Sequence, residues 1–330
     1  MTSKRIFLTG ASGCIGHYVA EAFIQETDHE LYLLVRDPAK LRFNYNARPG
    51  VHIVQGDLRK IEEFADLLQT IDCAILIATS WGGPEEVYEV NVKKTLSLIE
   101  HLNPDRCEQI IYFSTASILD RKNQPLPQAK EFGTDYIRSK YICYQELHKL
   151  AIAPKITTLF PTLLLGGDNN KPYSHVSSGI AQVARWIDVI RFLRIDGSFH
   201  FIHGKDVAQI VQYLADHPSQ ATEPRQFVLG NARTTVDQLI EESCAYLNKR
   251  MYFRIPLTFG LADLIIRLFH IKMAEWDRFS MEYRHFTHQD VTSPQRFHLP
   301  TYCATVADIL RISGLRPHKR PFSFRKSVKV

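Results

Sequence analysis

A chain of 330 residues that is 45% apolar and 23% charged has the composition of a globular protein large enough for one big domain or two lobes. Its six cysteines, Cys14, Cys73, Cys107, Cys143, Cys244 and Cys303, are scattered. They have no metal-ligand spacing and imply no disulfide scaffold, so no metal is expected and a reduced, cytoplasmic compartment is. The start runs straight into an apolar strand with no signal-peptide pattern, and no apolar run reaches the length of a membrane span. The net charge of +5 is uneven, since residues 311–330 carry seven Lys/Arg and no acid. That tail reads either as a solvated end, the plainer reading, or as a contact for an acidic membrane surface or nucleic acid; no nucleic-acid partner is expected.

The strongest local pattern comes first. Ile6-Phe7-Leu8 is followed by Thr9-Gly10-Ala11-Ser12-Gly13-Cys14-Ile15-Gly16 and then by helical spacing to about residue 26. Strand, glycine turn and helix start together make a dinucleotide-binding fingerprint. Gly10 permits the turn, Gly13 clears a place for a pyrophosphate, and Gly16 lets helix and strand approach. Free N–H groups at the helix start face the phosphates. Thr9, Ser12, Cys14 and Ile15 count with the glycines as cofactor contacts.

Leu31 to Val35 is a second, buried strand, ending in Arg36-Asp37-Pro38-Ala39-Lys40. The residue beyond this strand meets the adenosine ribose. Arg36, helped by Lys40, suits a 2′-phosphate, so NADP(H) is expected ahead of NAD(H). The alternative has Asp37 taking the ribose. Val51–Val54 is a third strand, with Asp57-Leu58 set against the adenine and a helix over 60–69. A fourth strand, 73–78, ends in Ala78-Thr79-Ser80-Trp81-Gly82-Gly83. Ala78 and Thr79 suit close approach of the cofactor, and Trp81 either walls the substrate pocket or covers the sheet edge. A long helix is expected over 85–102. Asn91 inside it is either a polar brace below the site or a surface residue.

The fifth strand, 110–113, ends in Ser114-Thr115-Ala116-Ser117. A helix to about residue 150 then carries Tyr136-Ile137-Arg138-Ser139-Lys140. Tyr and Lys at i and i+4 share a helix face, where the cation can lower the phenol's pKa. Position gives the pair its weight, because it follows the fifth strand of a dinucleotide fold behind a hydroxyl-rich strand end.

These motifs, with Gly56-Asp57-Leu58, Phe201-Ile202-His203-Gly204-Lys205-Asp206 and Phe227-Val228-Leu229-Gly230-Asn231, resemble the extended short-chain dehydrogenases/reductases over about residues 4–245. That group includes NAD-dependent epimerases and dehydratases, and Arg36-Asp37-Pro38 resembles its reductase branch. The resemblance implies an α/β fold, a doubly wound parallel Rossmann sheet over residues 1–165. Part of 195–230 completes the sheet, and 166–330 forms mainly a smaller substrate lobe. It implies Thr115, Tyr136 and Lys140 as the catalytic set, with Tyr136 and Lys140 also touching the cofactor beside Pro161. It also implies a homodimer through helices 85–102 and 134–150, to which Ile137, Tyr141, Tyr144 and Leu147 bring apolar surface.

The chain departs from that pattern at Phe160-Pro161, where Arg-Pro is common. Ala116-Ser117 stands in place of the dehydratases' Asp-Glu, and Thr162-Leu163-Leu164-Leu165 where epimerases often have Asn. A dehydratase therefore lacks its extra proton handlers. The expected activity is hydride transfer between NADPH and a keto or hydroxyl group of a small organic substrate. A nucleotide-sugar epimerase is the alternative, and a non-catalytic nucleotide-binding assembly or sensor protein is a second. Trp81, Ser117, Tyr173, His175 and Trp186 are candidates for the substrate lining. His200 and His203 read as structural. Leu257, Leu261, Leu264, Ile265, Leu268 and Ile271 recur at helical spacing. They suit packing on the substrate lobe, the plainer reading, or an apolar lid or membrane-surface contact. The aromatic stretch 275–296 fits no pattern.

Overall fold

The expected strands lie side by side in one parallel sheet. The computed structural model describes residues 3–179, 186–270 and 272–315. Ile271, the side chain of Ile265 and the basic tail from Arg316 onward fall outside the described residues. The strands are β1 (Arg5–Thr9), β2 (Glu30–Val35), β3 (Val51–Gln55), β4 (Cys73–Leu76), β5 (Gln109–Phe113) and β6 (Ile156–Pro161). Their order is β3-β2-β1-β4-β5-β6, and Arg225–Leu229 adds a seventh strand beside β6. Every pairing in this sheet is parallel.

Alternation along each strand divides the core into two layers. Ile6 and Leu8 of β1 face one layer with Val19, Phe23 and Leu214. Phe7 faces the other with Val92, Ile99 and Leu147. Both faces are covered, which is why β4 and β6 are buried along their whole length. Strand order reverses between β1 and β4, and the crevice above the carboxyl ends there is where such sheets bind ligands.

Part of the chain after residue 165 returns to the sheet. The helix Gly204–Asp216 packs beside α1 (Cys14–Glu26) and shares its core layer. The approach is close: a Cβ on Gly204 would sit 2.5 Å from the Tyr18 ring. The remaining segments form short pairings, Leu163–Leu165 with Phe201–His203 and Leu193–Arg194 with Ile255–Pro256, around the helices Val236–Tyr246, Phe259–Leu268 and Glu275–Tyr283.

Three helical expectations are corrected. Residues 60–69 are a 3-10 helix over Leu58–Phe64, kinked at Lys60, followed by a short α-turn over Ala65–Leu68. The long helix is interrupted: α-helical over Pro84–Tyr88, π-helical over Glu89–Lys94, α-helical again over Thr95–Glu100. The third concerns Ile137, Tyr144 and Leu147, which are buried in their own chain. The unassigned aromatic stretch supplies part of the reason, for Trp276, Phe279 and Tyr283 pack against the cluster holding Ile137 and Tyr144. Little of the apolar surface expected at a dimer contact is therefore available on that helix.

Candidate active site

A cleft of about 790 Å³ opens above the carboxyl ends of β1 to β6. Thr9, Gly10, Ser12, Gly13, Cys14 and Ile15 border it from β1 and the first helix turn. The Gly13 N–H donates to the Gly10 carbonyl at 3.0 Å, closing the turn. Gly10 has φ +78°, and a Cβ there would sit 2.7 Å from the Ala78 backbone nitrogen. Gly16 does not border the cleft; any side chain there would overlap the Gly10 carbonyl oxygen. Gly13 differs from both, because a Cβ would meet only the Gly10 oxygen at 3.4 Å, an ordinary contact. Protein packing therefore does not require glycine at residue 13, whereas a ligand lying over the turn would. Gly13 is the N-cap of helix α1 and offers no side-chain hydrogen bond, so the first N–H groups of the helix are left uncovered beside the cleft. Burial pushes the Cys14 thiol up to about 12, which keeps it neutral.

Arg36 and Lys40 border the cleft beyond β2. Asp37 is occupied otherwise, since its carboxylate accepts from the Ala39 N–H at 3.1 Å and caps the Pro38–Lys40 turn. Beyond β3, Asp57 accepts from the Arg59 guanidinium at 2.6 Å and caps the next turn. That hydrogen bond, with Arg36 nearby, holds its carboxyl below the usual range. Leu58, Ala78, Thr79 and Pro161 also border the cleft.

Thr115, Tyr136 and Lys140 all border the cleft. The Thr115 hydroxyl accepts from the Ser117 N–H at 3.3 Å as the strand turns away, which brings Ser117 to the cleft as well. The Lys140 ammonium donates to the Phe113 carbonyl at 2.7 Å and lies over the Tyr112 ring at 4.9 Å. It is buried, and desolvation lowers its pKa to about 8. The expected lowering of the phenol is not found. Burial pushes Tyr136 up to about 12, and a hydrogen bond with Thr115 opposes the rise. The reason is geometric. Lys140 is turned toward the strand end, and Trp81 stacks on the phenol ring with centroids 3.8 Å apart. Trp81 thus walls the cleft, with the His175 ring 4.7 Å from its own, and Tyr173 borders the cleft as well. Trp186 does not border the cleft.

Asn91 is the brace rather than a surface residue. It is fully buried in the π-helical turn. Its amide oxygen accepts from the Ser80 N–H at 2.7 Å and the Thr79 hydroxyl at 3.0 Å. Its amide nitrogen donates to the Ser139 hydroxyl at 3.0 Å, beside Lys140. One side chain thereby ties the Trp81 loop to the helix carrying Tyr136. Ser139 was not singled out from the sequence, and only its place next to Lys140 could have drawn attention to it. His200 and His203 each engage backbone groups. The backbone N–H of His288 donates to His200, and His203 caps the helix Gly204–Asp216 by accepting from the Lys205 N–H. No cluster of metal-binding side chains occurs among the described residues.

The NAD dependent epimerase/dehydratase family model matches residues 6–230, which is most of the chain and the whole of this cleft. The chain belongs to that family. Short-chain dehydrogenase/reductase family 42E member 1 of Xenopus laevis is 23% identical over 154 residues. That match covers 42% of this chain and 38% of the relative, well under two thirds of its length. Among solved structures, gox2253 superposes with a TM-score of 0.68 at 18% identity, covering 94% of this chain and 98% of that one. The dTDP-glucose 4,6-dehydratase of Bacillus anthracis, in complex with NAD, gives 0.62 at 13% identity, covering 94% and 96%. Likenesses at this identity show the fold.

Proposed function

We propose that this protein is an NADPH-dependent oxidoreductase acting on a keto or hydroxyl group of an uncharged, largely apolar small molecule. The reading is supported by Thr115, Tyr136 and Lys140 bordering the same cleft as a glycine turn with free N–H groups. The residues fit a dinucleotide, since nothing in the protein itself needs the open space at Gly13. When bound, a nicotinamide cofactor supplies or accepts the hydride.

Around the reacting carbon, this chain's groups divide the remaining work. Thr115 donates a hydrogen bond to the substrate oxygen. Tyr136, protonated at neutral pH, gives its phenol proton to that oxygen during reduction and takes it back during oxidation. Lys140 is mostly charged at pH 7 and stabilises the negative charge that develops beside the phenol. Arg36 and Lys40 favour a 2′-phosphate because Asp37 and Asp57 are both held by turns of their own.

The substrate end favours a reductase over the epimerase alternative. Trp81, Leu163, Leu164, Tyr173 and Val176 border it, and His175 is the basic side chain among the described residues there apart from Lys140. A nucleotide diphosphate would call for Arg or Lys forks at that position. We further propose a homodimer through the helices at 84–100 and 135–147. Exposed Tyr88 and half-buried Tyr141 are the aromatic groups left on them. Fluorescence titration with NADPH and NADH tests the cofactor reading: NADPH binds more tightly to the wild type, and Arg36→Ala loses that preference. Equal affinities in the wild type contradict it.

A further inference from the structure

Lys140 is a cation buried without a counter-charge. Its residue is 2% exposed, and no carboxylate pairs with it among the described residues. The groups around it are neutral. On its own helix, Tyr136 and Cys143 lie about one turn to either side, and burial keeps both protonated. The segment 84–100 packs on that helix and sends it Asn91, an uncharged amide that reaches Ser139. The charges of that segment are engaged elsewhere or exposed. Glu89 pairs with Lys93, Lys94 pairs with Glu62, and Glu86 accepts from the Ser80 hydroxyl. Glu85, Tyr88 and Glu100 are exposed. A cation in such surroundings is costly unless the protein replaces the water it has lost.

Two consecutive residues of β5 do so. The Phe113 carbonyl accepts from the ammonium at 2.7 Å, and the ammonium lies over the Tyr112 ring, 4.9 Å from its centroid. Tyr112 is buried in the core layer that also holds Cys143 and Leu147 of the helix carrying Lys140. An aromatic face attracts a cation more strongly where water is excluded. The Tyr112 hydroxyl is not what serves the site, for it is buried, makes no hydrogen bond and ends beside the Cys143 thiol. An aliphatic residue would fill the same layer, as Ile110 does two positions earlier on the same side of the strand. It would offer the ammonium no negative face.

We propose that Tyr112 is a positioning residue for the reaction: its aromatic face holds Lys140 in the charged form and turned toward the end of β5. The inference rests on the role given to Lys140 above, but it concerns a contact made without substrate or cofactor. Weakening the negative face of the ring removes a partner of the charged form alone, so the ammonium gives up its proton at lower pH. The alkaline limit of activity then depends on β5 as well as on the lysine.

The test is an NMR titration of the full chain with its lysines labelled at Cε, using Lys140→Met to assign the signal. Tyr112→Phe keeps the ring and should leave the Lys140 midpoint within about 0.3 pH unit of the wild type. Trifluorophenylalanine at residue 112 has nearly the shape of phenylalanine but a face stripped of its negative charge, and should lower the midpoint by about one pH unit. Tyr112→Leu, where it folds, should lower it as far; the fluorinated protein decides where it does not. An unchanged midpoint in the fluorinated protein overturns the proposal. So does an equal fall in Tyr112→Phe, which would assign the effect to the hydroxyl. The alkaline fall of kcat/KM should move by the amount that the NMR titration reads. A lowered midpoint with an unmoved kinetic limb supports the Tyr112 contact and counts against the role given to Lys140, so the two failures are told apart.

Discussion

The Trp81 indole lies nearly parallel to the Tyr136 phenol, with ring centroids 3.8 Å apart and planes 18° from one another. Trp81 is itself 55% exposed and is followed by Gly82-Gly83. A Cβ on Gly83 would touch nothing within 4 Å, whereas one on Gly82 would meet the Glu86 carboxylate at 2.6 Å. Substrate must therefore share the phenol's face with this indole. Trp81→Ala should raise KM for an apolar ketone severalfold while leaving NADPH affinity unchanged. Part of the burial that raises the Tyr136 pKa would also be lost. Steady-state kinetics beside cofactor titration separates the two effects.

The glycine turn makes a second prediction, because its three glycines have different reasons to be there. Gly16→Ala overlaps the Gly10 carbonyl and should destabilise the fold by more than about 2 kcal/mol, a typical cost of overpacking. Gly13→Ala adds a methyl at ordinary contact distance. It should unfold at the wild-type temperature yet bind NADPH at least about tenfold more weakly, as befits loss of a close backbone approach. Thermal unfolding and cofactor titration on both variants check this.

Lys140 sets the alkaline behaviour. Its pKa is lowered from 10.5 to about 8 by burial, so the folded protein releases this proton more readily than an unfolded chain does. Below pH 8 both states are protonated and the whole cost of burying the cation is present. As pH rises from 8 toward 10.5 the unfolded state holds more protons, and this residue's contribution makes folding more favourable. Activity moves the other way, with kcat/KM falling through about pH 8 as the cation is lost. Lys140→Met should abolish that limb and most turnover, weaken cofactor binding, and raise stability at pH 7 by about 1–3 kcal/mol.

Asn91 is a positioning residue and should be costly to replace. Asn91→Leu leaves the Ser80 N–H and the Thr79 and Ser139 hydroxyls without their partner, a loss of about 1–3 kcal/mol. With the Trp81 loop released, KM should rise more than kcat falls. Asn91→Asp, which keeps the acceptor, should restore part of the KM effect.

The sequence carried the site further than the lobes around it. Strand-end residues were legible because a parallel sheet brings carboxyl ends to one edge, and bounded apolar runs mark those ends. Of the contacts named for cofactor and substrate, Gly16 and Trp186 lie away from the cleft, and glycine spacing cannot distinguish packing from contact. The interrupted helix was not legible. Nothing in Val87, Val90, Leu96 and Ile99 signals a π-helical turn, and the reason for one lies in hydrogen bonds from Asn91 to residues distant in sequence. The direction of the Tyr136 shift was missed for a similar cause. An i, i+4 pair gives proximity, but the dominant effect is burial, to which a tryptophan 55 positions earlier contributes. Ile137 and Tyr144 read as surface because the helix that covers them, Glu275–Tyr283, follows no pattern that ties it to them.

The central claim is that Tyr136 is the proton donor and acceptor in hydride transfer. The most direct measurement is the turnover of Tyr136→Phe with NADPH on any ketone that the wild type reduces, alongside its NADPH affinity. The account predicts a loss of turnover of about 10²–10⁴-fold with affinity and unfolding temperature unchanged. Near-normal turnover in Tyr136→Phe would contradict it.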